Sequence, residues 1–290
     1  MLATMKIEEF PAIWYQAANC GGCSISIFNS VSPGIENILI DEIIPGKHIN
    51  LRFHTTIMAA EGNAAIRLLE NSKKDNKDNY ILIVEGAIPT AKNGTYGTTV
   101  NKDGRRISMA TQLQSLAQDA SVIIALGTCA AFGGIAAAQP NPTGCMGVDQ
   151  FLNARRITTP LINVPGCPPH PDWFTGTIAS LLLYGLPKPE ELDEYKRPKA
   201  FYGKPIHENC PRRAYFEEGK FATSFGEPGC LNELGCKGPV TYADCPLRKW
   251  NNGINWCIGA GSPCIGCCEP GFPDLVSPFY QKLNATSLPL

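Results

Sequence analysis

Short apolar runs recur along the first part of the chain, separated by longer stretches in which apolar residues return every third or fourth position. "AIWYQA" near 12–17, "INLRFH" near 49–54, "YILIVEG" at 80–86, "SVIIALG" at 121–127 and "PLINVPG" at 160–166 predict strands. Between them "EGNAAIRLLENSKK" and "ISMATQLQSLAQDA" predict helices that bury one face. Strand, helix and strand in repetition predict a parallel sheet covered on both faces. The pattern stops near residue 186, where "LPKPEELDEYKRPKAFYGKP" is rich in proline and charge, and little periodic structure is predicted beyond it.

Composition narrows the picture. A chain of 290 residues with 44% hydrophobic content can bury one large core or two smaller ones. A net charge of -1 leaves no basic field for a phosphate backbone, so nucleic acid is excluded as a partner. No apolar run approaches the length of a membrane span, and "MLATMKIEEFPAIWYQ" lacks the basic start, apolar run and cleavage site of a secretory signal. The expectation is a cytoplasmic protein, or a periplasmic one if the numbering follows removal of an export signal.

Thirteen cysteines change the chemistry expected. A disulfide framework belongs to small secreted domains, which leaves metal as the better explanation. Cys20, Cys23, Cys129, Cys145 and Cys167 are spread through the first part, while eight crowd between Cys210 and Cys268. Cys20 and Cys23 follow the first predicted strand, Cys129 follows "VIIALGT" and Cys167 follows "LINVPG". The C-terminal ends of parallel strands share one edge, where ligands collect, so four thiolates far apart in sequence can converge on one centre. Structural zinc sites are usually built from two short knuckles, and this part of the chain has one, Cys20-x-x-Cys23; a cubane iron-sulfur cluster tolerates scattered ligands better. In the second part, "NWCIGAGSPCIGCCEPGFPD" has the Cys-x-x-Cys, proline and glycine of a bacterial ferredoxin run, and "GCLNELGCKGPVTYADCP" adds three thiolates. So few apolar residues accompany them that metal centres are expected to serve as the core. By itself the pair His207 and Cys210 in "PIHENCPRR" is compatible with zinc, a cluster or two loop neighbours.

Seven blocks in order, "NCGGCS", "GTCAAFGG" with "NPTG", "VPGCPPHPDW", "HENCPRR", "LGCKGP", "WCIGAGSPCIGCCEP" and "FPDLVSPFY", resemble the small subunit of nickel-iron hydrogenases over nearly the whole chain. The resemblance implies an α/β fold: a flavodoxin-like parallel-sheet domain over 1–186, a linker over 187–206, and a domain with little regular structure over 207–290. It implies three 4Fe-4S clusters: proximal on Cys20, Cys23, Cys129 and Cys167, distal on His207, Cys210, Cys230 and Cys236, medial on Cys245, Cys257, Cys264 and Cys267. A neutral imidazole in place of a thiolate would favour the reduced distal cluster. The commonest family pattern has proline where this chain has Cys257; without that thiolate the medial cluster would be 3Fe-4S. Cys145 and Cys268 are left as packed thiols.

The function implied is an electron relay between the nickel-iron centre of a large subunit and an external carrier of cytochrome or ferredoxin type. The bond-breaking site would lie in the other chain. Glu85 is implied near the proximal cluster, where it either interacts with it or caps a turn, His170 is expected to order the Cys167 loop, and His48 and His54 are expected at the surface or in packing. Gly22 and Gly134 stand where oxygen-tolerant relatives carry further cysteines, which implies an ordinary proximal cubane. Three other readings stay open: the cluster subunit of respiratory NADH dehydrogenase, which pairs adjacent cysteines where this chain has Cys20-Gly21-Gly22-Cys23, a stand-alone ferredoxin-like carrier, and a zinc-structured module.

Overall fold

The computed structural model describes residues 7–39, 41–102 and 105–282. The chain divides into two compact units, Met1–Lys188 and Pro189–Leu290. Residues 189–206, expected as part of a connector, belong to the second unit. There Arg197 is buried between Asp193, at 2.7 Å, and Glu269, at 3.1 Å. Most of the other charges of this stretch are exposed, but Arg197 is paired inside, and pairing of this kind is invisible in composition.

In the first unit all five expected strands form, as β1 (Glu8–Gln16), β2 (Lys47–His54), β3 (Ile81–Glu85), β4 (Val122–Leu126) and β5 (Leu161–Val164). They make one parallel sheet in the order β2-β1-β3-β4-β5, the doubly wound flavodoxin arrangement. Every residue of β3 and β4 is buried, as continuous apolar runs require in a sheet covered on both faces. Along the chain lie helices α1 (Gly22–Phe28), α2 (Gly62–Asp75), α3 (Met109–Gln118), α4 (Thr128–Phe132), α5 (Val148–Arg155) and α6 (Pro171–Tyr184).

The two helices read from apolar periodicity are α2 and α3. Helix α2 buries Ile66 and Leu69; α3 buries Ala110, Leu113, Leu116 and Ala117. Ser108 caps α3 by accepting from the Thr111 N–H at 3.1 Å, while Ile107 belongs to a preceding hairpin strand paired with Val100. Leu113 and Leu116 meet Tyr80, Leu82 and Ile123 in the core. Each fully buried aliphatic side chain there contributes about 1.5–3 kcal/mol, and Leu113→Ala would cost about 2–5 kcal/mol.

The second unit is built from turns and short helices, among them Lys199–Tyr202, Ile206–Asn209, Leu231–Leu234 and Cys245–Arg248. Its buried apolar residues, including Tyr202, Leu231, Trp256, Ile258 and Phe272, are few and separated by cysteines. Among the described residues no helix is long and apolar enough to cross a membrane.

Candidate metal centres

At one edge of the sheet, the turns after β1, β4 and β5 each carry cysteine. Cys20 lies in the turn after β1, Cys23 is the second residue of α1, Cys129 the second residue of α4, and Cys167 follows β5. These turns are tied together by the backbone. The Gly127 N–H donates to the Val164 carbonyl at 2.9 Å and the Thr128 N–H to the Gly166 carbonyl at 3.0 Å, while the Gly166 N–H donates back to Thr128 Oγ1 at 2.9 Å. From the other side, Ala17 N–H donates to the Glu85 carbonyl at 2.8 Å, holding the end of β1 against the end of β3.

The backbone leaves room for sulfur and little else. Gly127 has φ +88, and a Cβ there would come 2.4 Å from Cys23 Sγ; Gly134 has φ +51, and a Cβ there would come 2.9 Å from Cys129 Sγ. Burial pushes the Cys23 thiol far up, and the charges of Glu85, Cys129, Cys20 and Cys167 push it the same way. Half-buried Cys23 and Cys129 stand with exposed Cys20 and Cys167 at one sheet edge, and deprotonating thiols held up in this way needs a compensating positive centre, which the irons of an iron-sulfur cluster supply. The donor set and the glycine cradle therefore fit such a cluster. Among the described residues, no three His, Cys, Asp or Glu side chains are arranged to hold a single metal ion.

Behind Cys23 lies a polar network that the strand pattern did not reveal. Glu85 is completely buried and accepts from Trp14 Nε1 at 3.0 Å, Gln16 Nε2 at 3.2 Å, the Ser24 N–H at 3.3 Å and the Ser24 hydroxyl. His54 is buried as well, 3.2 Å from Ser24 Oγ through Nε2 and with its ring 4.8 Å from that of Trp14. Its place is in the packing, whereas His48 is half-exposed and meets the Asp41 carbonyl. His170 caps α6, accepting from the Asp172 N–H at 3.0 Å three residues beyond Cys167.

In the second unit, His207, Cys210, Cys230 and Cys236 line one cavity with Leu231 and Ile258. Phe216 sits edge-on to the His207 ring at 4.8 Å. Burial, and then the charge of Arg213, hold the imidazole below its ordinary pKa, so it is neutral and can act as a ligand. The Cys236 thiol is pushed up by burial, while the backbone N–H groups of Gly238 and Cys264 act in the opposite direction; the Gly238 N–H lies 3.4 Å from the sulfur.

Cys245, Cys257, Cys264 and Cys267 form the remaining group. Burial raises the Cys245 thiol first, followed by the charges of Cys267 and Cys257; burial also raises Cys264, followed by Cys236 and Cys267. Cys257 is raised by burial and then by Cys267. Cys268 is buried with Sγ 3.8 Å from that of Cys267, and Cys145 is buried with its sulfur accepting from Thr143 Oγ1 at 3.2 Å. Sequence reasoning missed Lys237, which is buried beside Cys236, and Arg197, whose guanidinium donates to the Cys268 carbonyl at 3.1 Å. Nothing in residue type marks a lysine or arginine for burial.

Residues 202–280 match the family model for the C-terminal part of the NiFe/NiFeSe hydrogenase small subunit, and residues 20–181 match that of the 20 kDa subunit of NADH ubiquinone oxidoreductase. The periplasmic NiFeSe hydrogenase small subunit of Desulfomicrobium baculatum is 47% identical over 96% of this chain and 89% of its own length. The periplasmic NiFe hydrogenase small subunit 1 of Nitratidesulfovibrio vulgaris is 42% identical over 93% of this chain and 81% of its own. A solved structure of the reduced, active Desulfomicrobium baculatum Ni-Fe-Se hydrogenase superposes with a TM-score of 0.89 at 46% identity, covering 95% of this chain and 100% of that one.

Proposed function

This chain belongs to the small-subunit family of nickel-iron hydrogenases, and on that premise we propose which of its residues hold the redox centres. The chain is the electron-transfer subunit of a hydrogenase, an oxidoreductase acting on hydrogen, and works in a heterodimer with a large subunit. Cys20, Cys23, Cys129 and Cys167 hold a proximal 4Fe-4S cluster, His207, Cys210, Cys230 and Cys236 a distal one, and Cys245, Cys257, Cys264 and Cys267 a medial one. When bound, the clusters supply one-electron centres between the large subunit's nickel-iron site and an external carrier of cytochrome or ferredoxin type.

The rest is the work of this chain's own residues. Strand ends fix where the proximal thiolates stand, and the Thr128–Gly166 clasp keeps two of those turns in register. His207 stays neutral and presents a nitrogen. Main-chain N–H groups reach ligand sulfurs, as from Gly22 to Cys20 and from Gly238 to Cys236, each at 3.4 Å, and disperse negative charge there. What supports the reading is geometric: the turns that carry Cys20, Cys23, Cys129 and Cys167 follow strands of one parallel sheet, the Thr128–Gly166 pair ties two of them together, and Gly127 and Gly134 lie against Cys23 Sγ and Cys129 Sγ. Iron and acid-labile sulfide analysis of the purified heterodimer tests it: about a dozen irons in this chain are expected, and zinc without sulfide overturns it.

A subunit of the NADH dehydrogenase type is the nearest other reading, since 20–181 match that family. The hydrogenase match over 202–280, in the unit that carries eight further cysteines, favours the hydrogenase. Two relatives are named as periplasmic, and we extend that location to this chain in preference to the cytoplasm; cell fractionation with an antibody to the chain is the test.

A further inference from the structure

Lys237 stands between one cysteine of the medial group and one of the distal group. It follows Cys236 directly, and its main-chain N–H donates to the Cys264 carbonyl across 2.8 Å. Its own carbonyl accepts from Thr241 Oγ1 at 2.7 Å, and fully buried Thr241 lies 3.7 Å from Cys264 Sγ. Gly266, between Cys264 and Cys267, packs on its stem: a Cβ there would come 3.6 Å from Lys237 Cβ. One buried residue thus contacts the supports of both groups.

Lys237 is 1% exposed. Its ammonium donates to the Gln281 carbonyl at 2.5 Å, and no Asp or Glu among the described residues pairs with it. A buried cation without a carboxylate is costly unless other negative charge offsets its lost hydration. In place of a carboxylate it has the thiols of both groups nearby: Cys236 is its chain neighbour, and the Cys264 sulfur lies against Thr241, which is bonded to the Lys237 carbonyl. A neutral side chain of this length would fill the same space at lower cost, so the charge itself needs a use.

We propose that Lys237 is a positioning residue shared by the medial and distal sites, its buried ammonium being the counter-charge that stabilises the electron-loaded form of both and holds their potentials up together. The proposal rests on the reading that these cysteines carry clusters. A cation close to an iron-sulfur centre favours its more negative, reduced state. Placed between two centres, it acts on both in the same direction and keeps the step between them small.

The test uses the complete heterodimer and compares wild type with Lys237→Met, Lys237→Gln and Lys237→Arg. Iron and acid-labile sulfide in wild type are measured first, because their absence overturns the cluster reading itself. Redox titration followed by electron paramagnetic resonance then reads each transition. The medial and distal transitions should both move to lower potential in the Met and Gln variants, the proximal one should stay, and the Arg variant should keep wild-type values. Unmoved transitions in the neutral variants, or an equal fall in the Arg variant, overturn the proposal. If the neutral variants lose clusters, retention by the Arg variant supports a role for the charge, and loss by all three overturns it in favour of a steric one.

Discussion

The Ser26 hydroxyl donates to the carbonyl oxygen of Pro169 at 2.7 Å, joining the helix that carries Cys23 to the turn that follows Cys167. The two residues are far apart in sequence, and Ser26 is buried, so the bond is made without competition from water. Ser26→Ala leaves that carbonyl unsatisfied at a cost of about 1 kcal/mol. Iron should then leave the proximal site faster under chelator challenge, with the other two sites unchanged, as absorbance decay and spin counting would show.

Gly127 is a stricter requirement, since its φ of +88 and the 2.4 Å approach of a Cβ to Cys23 Sγ act together. Gly127→Ala should prevent the proximal site from loading while the second unit keeps its clusters. Iron content should fall by about one third. A fully loaded variant would show that the turn can yield.

Cys257 supplies the fourth medial thiolate in our assignment. Undamaged wild type should show no stoichiometric 3Fe-4S signal when oxidised. Cys257→Pro opens one iron corner, so a 3Fe-4S signal should emerge at higher potential, because one thiolate charge is gone. Electron paramagnetic resonance of the oxidised heterodimer reads both outcomes.

Stability should carry a pH dependence from His54. The Thr56 N–H donates to Nδ1 at 3.1 Å, so the neutral ring carries its proton on Nε2, towards Ser24. Burial lowers its pKa, with Glu85 opposing. An unfolded histidine titrates near about 6.5, so between that value and the lower folded one the unfolded chain binds the extra proton. The contribution is therefore complete above the unfolded value and is lost as pH falls towards the folded one. His54→Gln should flatten the decline of the melting temperature as pH falls below about 6.5.

Ile25 on α1 and Ile135 beside Gly134 are 61% and 57% exposed, next to cysteines of the proximal group. Apolar side chains left in water around the cysteines that we assign to the proximal cluster fit the face that a large subunit covers. Expressed alone, the chain should aggregate. Ile25→Lys with Ile135→Lys should improve its solubility and weaken heterodimer formation, as size-exclusion chromatography of coexpressed subunits would show.

The sequence by itself determined the five strands, both long amphipathic helices and the change of regime after the sheet, because each rests on a local period that burial imposes on neighbouring residues. It also determined that cysteines follow three strands, and the ordered blocks carried the family. Tertiary structure alone decided the strand order that brings those ends to one edge, since pairing depends on contacts distant in sequence. It decided too that the segment carrying Arg197, whose composition resembled a linker, belongs to the second unit, that Glu85, implied near the proximal cysteines, is completely buried, and that Lys237 is buried beside Cys236. Whether a charge is buried is set by the partners that surround it in space, and local pattern does not record them.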